Sequence, residues 1–273
     1  MIRRNLLLAA AAAAPIMLGS SIASATAYTM QVWEGAATSS NSTARDATAA
    51  GVTALTGSTY TSATFTWNGT LNFDWPGVYI PPSSPGTTSQ NTNSSGDLFS
   101  QFFGSNPGVQ NYNTPTENPA ALISGYSCTH NCGALGSPSN ADFSSLTSFL
   151  ASSGSAASYL YGAIFKIDLG KLPAGTILAV NHDDGASLVN NGVTFGGLTS
   201  TPTSSTGYQT GIVPSALYDT YLYYGYENGS PEVLQVKFNG DQTPPLPEPS
   251  SMALVATGLL GLGLLVRRRS VRG

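Results

Sequence analysis

Between residues 63 and 74 apolar and polar side chains alternate strictly. Ala63, Phe65, Trp67, Leu71 and Phe73 occupy odd positions, and Thr64, Thr66, Asn68, Thr70, Asn72 and Asp74 occupy even ones. Period two is the mark of extended chain with one face buried. Asn68-Gly69 invites a two-residue turn, but such a turn pairs Trp67 with Thr70 and Phe65 with Asn72, mixing apolar and polar residues on one face. A three-residue connection over 68–70, pairing Trp67 with Leu71, keeps the faces separate, and so does one long strand. The same alternation returns in Tyr159, Tyr161, Ala163, Phe165 and Ile167, followed by a turn over 171–175 and a strand over 176–180. A two-residue turn at Asn191-Gly192 places Leu188 across from Phe195 on one face, so there the hairpin register agrees with the pattern. Residues 217–226 and 233–238 read as two closing strands. Met30, Val32 and Trp33 mark a first strand, and 44–55 a weak helix. The stretch 81–119 is rich in Pro, Ser, Thr, Asn and Gly, with Leu98, Phe102, Phe103 and Val109 as its few apolar anchors, and reads as a long surface excursion. Leu122-Ile123 and 143–150 are compact apolar clusters, the second a helical turn or short strand. Short strands separated by Gly, Pro and Asn, with no long amphipathic helix and no internal repeat, predict an all-β chain: a single antiparallel β-sandwich or jelly-roll-like domain over 28–245, with long polar loops.

The two ends depart from this pattern. Arg3 and Arg4 precede an apolar run over 6–18 and the small residues Ala25-Thr26-Ala27, the layout of a secretory signal helix over 1–27 that signal peptidase removes. At the other end, Pro247-Glu248-Pro249 precedes an apolar helical segment, 252–266, and then Arg267, Arg268, Arg269 and Arg272. Fifteen residues at about 1.5 Å each reach roughly 22 Å, short of a roughly 30 Å hydrocarbon core. Transient membrane insertion, with the basic end held on the cytoplasmic side, fits this better than a permanent span. Segment 246–273 resembles the PEP-CTERM sorting signal, whose members are recognised and cut by an exosortase. The resemblance implies export across the inner membrane of a Gram-negative-type bacterium to the cell surface or the extracellular space.

Removing both ends changes the charge. Between residues 28 and 246 four basic residues (Arg45, Lys166, Lys171, Lys237) stand against thirteen acidic ones, a net −9. An acidic surface argues against nucleic acid and anionic lipid as partners. Cys128 and Cys132 bracket Thr129-His130-Asn131, and in an exported chain a disulfide closing this loop is expected. A Cys/His/Cys metal site lacks a fourth ligand at zinc-like spacing.

The candidate chemistry lies in His182-Asp183-Asp184-Gly185. Two adjacent carboxylates at a strand end call for a cation or a dense set of hydrogen-bond donors. Two readings stand: the pair caps a tight turn through backbone N–H groups, or it holds a cation. His182 is expected to pack and hydrogen-bond within that turn. Neither His130 nor His182 lies in a nucleophile elbow, metalloprotease helix or phosphate loop. Adjacent residues of an extended chain point to opposite sides, which places the Asp pair poorly to flank one glycosidic bond. No catalytic residue is expected, and hydrolysis of exopolysaccharide is the least favoured reading.

The string from Phe165 through His182-Asp183-Asp184-Gly185 to Asn190-Asn191-Gly192, with Tyr223-Tyr224-Gly225-Tyr226 and the aliphatic strand downstream, resembles the fibro-slime and protective-antigen-type carbohydrate-binding sandwich over 159–238. In lectin members of that family an adjacent Asp pair, often joined by a cis peptide, coordinates calcium, which then holds sugar hydroxyls. The resemblance implies Asp183 and Asp184 as calcium ligands. Calcium takes six to eight oxygens, and Asn190, Asn191 and Asn228 are the side chains to consider for the remainder and for ligand binding. The resulting expectation is an exported, non-catalytic cell-surface or extracellular-matrix protein associated with exopolysaccharide or biofilm. Its alternative is a calcium-dependent glycan-binding module.

Overall fold

A computed structural model describes residues 27–36, 42–75, 79–80, 90–91, 98–105, 118–135, 141–153, 161–203, 207–227 and 232–242. The strands are β1 (Tyr28–Ala36), β2 (Tyr60–Trp67), β3 (Asn72–Trp75), β4 (Tyr79–Ile80), β5 (Gln90–Asn91), β6 (Ile123–His130), β7 (Tyr161–Asp168), β8 (Ile177–Asp183), β9 (Ala186–Asn190), β10 (Val193–Phe195), β11 (Gln209–Ile212), β12 (Thr220–Tyr226) and β13 (Glu232–Phe238). Short helices α1 (Ala49–Leu55), α2 (Phe99–Phe103), α3 (Pro119–Leu122) and α4 (Leu146–Ala151), with a 3-10 turn at Ser42–Arg45, fill the connections. A seven-stranded sheet of order β10-β9-β12-β7-β1-β2-β6 packs on a four-stranded sheet of order β11-β8-β13-β3, and β4 pairs with β5. The chain is an all-β antiparallel sandwich, the arrangement expected of strands that each bury one face.

The register explains the alternation over 63–74. Trp67 ends β2 in the larger sheet, whereas β3 pairs with β13 in the smaller one. The segment is therefore neither a hairpin nor one long strand, because the chain crosses the sandwich at 68–71. Trp67, Leu71 and Phe73 are all buried in one cluster, so the apolar face is preserved although the sheet changes. Trp67 Nε1 donates to the Thr70 carbonyl at 3.0 Å and holds the crossing. The Asn191-Gly192 hairpin has the expected register, with Phe195 facing Leu188.

The excursion over 81–119 is not wholly on the surface. Phe99, Phe102 and Phe103 of α2 are fully buried and stand at i, i+3 and i+4, one face of a helix. That face enters the core between the sheets: Phe102 stacks on Tyr224 at 5.6 Å and lies 4.8 Å from Phe73, and Phe103 meets Phe65 edge-on at 5.7 Å. Phe99 stacks on Phe149 of α4 at 4.7 Å. On the outer face of the larger sheet, Ala47 and Val52 pack against Ile164 and Tyr223, so the 3-10 turn and α1 close that side. Strands β6 and β11 follow no clear alternation and were not anticipated.

Candidate functional site: an acidic corner where both sheets meet

Strand β8 belongs to the smaller sheet and β9 to the larger one, so Asp184 and Gly185 carry the chain from one sheet to the other. The end of β12 lies beside it, through Glu227. The Asp183–Asp184 peptide is cis, as the resemblance implies. Gly185 is required by close approach, since a Cβ there would lie 2.1 Å from the Ser200 carbonyl oxygen. Gly225 N–H donates to the Gly185 carbonyl at 2.9 Å, and Ala186 N–H donates to Thr199 at 2.8 Å.

Both carboxylates are buried, Asp183 at 6% and Asp184 at 1% exposure. Asp184 Oδ2 accepts the backbone N–H of Glu227 at 2.7 Å, so a main-chain amide at the end of β12 receives this carboxylate. His182 is buried, with Nδ1 donating to the Asp184 carbonyl at 2.6 Å and Nε2 lying 2.9 Å from Gln209 Oε1. The ring braces the turn, which is the packing role expected of it.

Four further side chains complete the corner. Tyr224 reaches across the sandwich, its hydroxyl donating to the Asp183 carbonyl and lying 3.3 Å from Glu232 Oε2. Burial, and next the charge of Glu232, hold that phenol far above its ordinary pKa, so it remains a donor. Glu227, 2% exposed, pairs with Arg45 Nε at 2.9 Å. Burial pushes the Glu227 carboxyl up to about 8; the hydrogen bond from Arg45 opposes this, and Asp184 and Asp46 reinforce it. The four basic residues of the sandwich divide clearly: Arg45 serves Glu227, Lys166 lies 4.0 Å over the Tyr221 ring, Lys237 lies 4.2 Å over the Tyr208 ring, and Lys171 is exposed beyond β7. Asp183, Asp184, Glu227 and Glu232 are thus all buried at this corner, and Glu227 carries the ion pair with Arg45. Glu227, Glu232, Tyr224 and Arg45 were not singled out from the sequence. An acid closing the aromatic run Tyr221 to Tyr226 was the available signal, but nothing local showed that the end of β12 shares a corner with the Asp pair.

Asn190 and Asn191 are not brought to the Asp pair. Asn190 ends β9 and Asn191 follows it, about six residues and roughly 20 Å of extended chain from Asp184. Asn190 Nδ2 instead lies within 3.2 Å of the carbonyls of Ser215 and Tyr218 and of Thr220 Oγ1, pinning the loop before β12. Asn191 occupies the left-handed turn position, φ 53°. Asn228 lies outside the described residues, as do the signal segment before residue 27 and Pro247, Glu248, Pro249, Arg267, Arg268 and Arg269. Among the described residues no group of three His, Cys, Asp or Glu is arranged to hold a metal.

Cys128 and Cys132 are joined by a disulfide at the exposed end of β6, their Cα atoms 5.7 Å apart. The His130 ring stacks on Tyr60 with centroids 4.1 Å apart and is not combined with the sulfurs. Among the described residues no helix is long and apolar enough to cross a membrane.

The described residues form an antiparallel β-sandwich, and the sequence beyond them carries a sorting motif. Residues 245–269 match the PEP-CTERM protein-sorting motif, so the chain carries the mark of an exosortase substrate, one that implies export and membrane-anchored processing at the cell surface or beyond. No curated protein matches the chain. Among solved structures it is similar to a PA14 sugar-binding domain from an RTX adhesin, with a TM-score of 0.40 and 18% identity over 77% of this chain and 88% of that one. It is also similar to the PA14 domain of the MpAFP antifreeze protein, with a TM-score of 0.39 and 14% identity over 78% and 81%. At these scores neither likeness bears on ligand or activity.

Proposed function

We propose that this is a non-catalytic structural protein of the cell surface or extracellular polymer matrix of a Gram-negative-type bacterium. Signal peptidase cuts it at the N-terminus and exosortase at the C-terminus, and it is associated with exopolysaccharide or biofilm. The observation that carries the reading is the sorting motif over 245–269 attached to a sandwich of net charge −9 between residues 28 and 246. The commitment of Asp184 to the Glu227 amide and of the His182 ring to the Asp184 carbonyl supports a structural rather than an acid–base role for the corner. Mass spectrometry of the mature protein from its native host tests this: loss of the chain beyond the Pro-Glu-Pro element is expected, and an intact C-terminal segment overturns it. A screen on host exopolysaccharide is expected to release no reducing ends.

One observation favours a second reading, calcium-dependent glycan binding at the corner. Two carboxylates adjacent in sequence, Asp183 and Asp184, are both buried at the strand end there, and a divalent cation would suit such a pair. Calorimetry with calcium chloride on the wild-type chain and on Asp183→Asn/Asp184→Asn decides it. Heat from the wild type alone supports the site, and two flat titrations remove it.

A further inference from the structure

The large apolar side chains most exposed among the described residues gather at one pole of the sandwich, opposite the acidic corner. Ile177 opens β8 and faces Ile212, the last residue of β11. Val193 opens β10 opposite Asn190, which in turn faces Thr220 at the start of β12. Leu217 and Tyr218 lie in the loop just before β12, and Asn190 holds the Tyr218 carbonyl. Their exposures run from 44% to 75%. Tyr208, the remaining exposed large apolar residue, is covered on one face by the Lys237 ammonium. An apolar cluster of this kind on an otherwise polar exported domain needs a partner that accepts hydrocarbon.

Both chain ends leave from this same pole. Thr29 faces Asp168, and Asp168 faces Tyr221, so β1 begins beside the start of β12. Strand β13 ends at Phe238, which faces Leu178 one residue from Ile177. From the last described residue, 242, only the nine residues 243–251 separate the sandwich from the apolar segment 252–266. Even fully extended they span at most about 30 Å. That is about the length of the strands themselves, so the tether leaves little slack to invert the domain over its anchor.

We infer that this pole is a membrane-docking face. While the sorting segment is inserted, Ile177, Ile212, Val193, Leu217 and Tyr218 rest in the interfacial region of the lipid bilayer, and the acidic corner points away from it. The inference rests on the reading of 252–266 as membrane-inserted. The contact is apolar rather than electrostatic, because Lys171 shares the pole with Asp168, Asp219 and Asp241. A lipid of no net charge therefore suffices.

The test uses the full chain in phosphatidylcholine vesicles, with a fluorophore on Leu217→Cys or, at the opposite pole, on Thr59→Cys. The native cysteines are bonded to each other, so each variant offers one thiol. Vesicle flotation reads insertion, and quenching by nitroxide-bearing lipids reads docking. The expected result is flotation of both proteins, strong quenching at 217 and none at 59, unchanged in high salt. In an Ile177→Ser/Ile212→Ser background, quenching at 217 falls towards the level at 59. A chain that floats with 217 unquenched, or with 217 and 59 quenched alike, overturns the docking face alone. A chain that fails to float overturns membrane insertion and docking together. Self-quenching at 217 that persists on dilution into excess lipid assigns the face to a second copy and overturns the proposal.

Discussion

The hydroxyl of Tyr224, on the larger sheet, donates to the main-chain carbonyl of Asp183, on the smaller one. A phenol from the middle of an aromatic strand thereby ties one sheet to the turn that leaves the other, and the same oxygen lies 3.3 Å from Glu232 Oε2. The turn from β8 to β9 and the end of β12 are fastened to each other at this point and again through the Glu227 amide on Asp184.

Removing that hydroxyl should loosen the turn and the end of β12 at once. Tyr224→Phe keeps the ring stacked on Phe102 but leaves a buried carbonyl and a buried carboxylate without their shared donor. The expected loss is about 1–3 kcal/mol, read as a lower urea midpoint with an unchanged slope. Wild-type stability in the variant would mean that the bond carries no weight.

Two glycines at the corner should differ in tolerance. At Gly185 an added Cβ meets the backbone oxygen of Ser200 at 2.1 Å, whereas at Gly162 it meets the Glu227 Cγ at 2.7 Å. A main-chain atom held in a strand crossing cannot step aside as a side chain can. Gly185→Ala is expected to cost about 3 kcal/mol or more, above the usual range for overpacking, and Gly162→Ala distinctly less. Thermal melts of the two variants side by side give the comparison.

What could be read from the chain, and what could not, follows from the range of the interactions. The hairpin at Asn191-Gly192 was legible because turn residues and the facing pair Leu188 and Phe195 lie within eight positions of one another. The segment 63–74 gave the right face and the wrong connection, since an inward residue looks the same whichever sheet carries it. Phe99, Phe102 and Phe103 were hidden by their surroundings: a polar, proline-rich stretch reads as surface although it delivers one helical turn of aromatic side chains. At the corner, Asp183 and Asp184 were visible as an oddity of local sequence. Glu227, Glu232 and Arg45 were not, because they arrive there only through pairings such as Arg45 with Glu227, 182 positions apart.

The aromatic plug carries its own prediction. Phe102 touches Phe73 of one sheet and Tyr224 of the other, so Phe102→Ala opens a cavity between the two layers rather than at an edge. A loss of about 3–5 kcal/mol is expected, measured by chemical denaturation. If 98–105 were merely a surface excursion, the variant would be neutral.

Glu227 should make the sandwich less stable as the solution becomes alkaline. Its carboxyl has an ordinary value of 4.5 and is pushed up to about 8 in the folded chain, chiefly by burial. Between those two values the folded state keeps a proton that the unfolded chain has released, so stability falls as pH rises. The favourable contribution is complete below about 4.5, declines through the neutral range and is exhausted once the pH passes about 8. A shift of this size corresponds to a few kcal/mol, at about 1.4 kcal/mol per unit. A glutamine amide cannot ionise, so the pH dependence between 5 and 9 should flatten in Glu227→Gln even if the variant's stability at pH 5 is lower for an altered hydrogen bond with Arg45. Urea midpoints at pH 5, 7 and 9 for both proteins measure it, and parallel profiles would show that another group governs the alkaline slope.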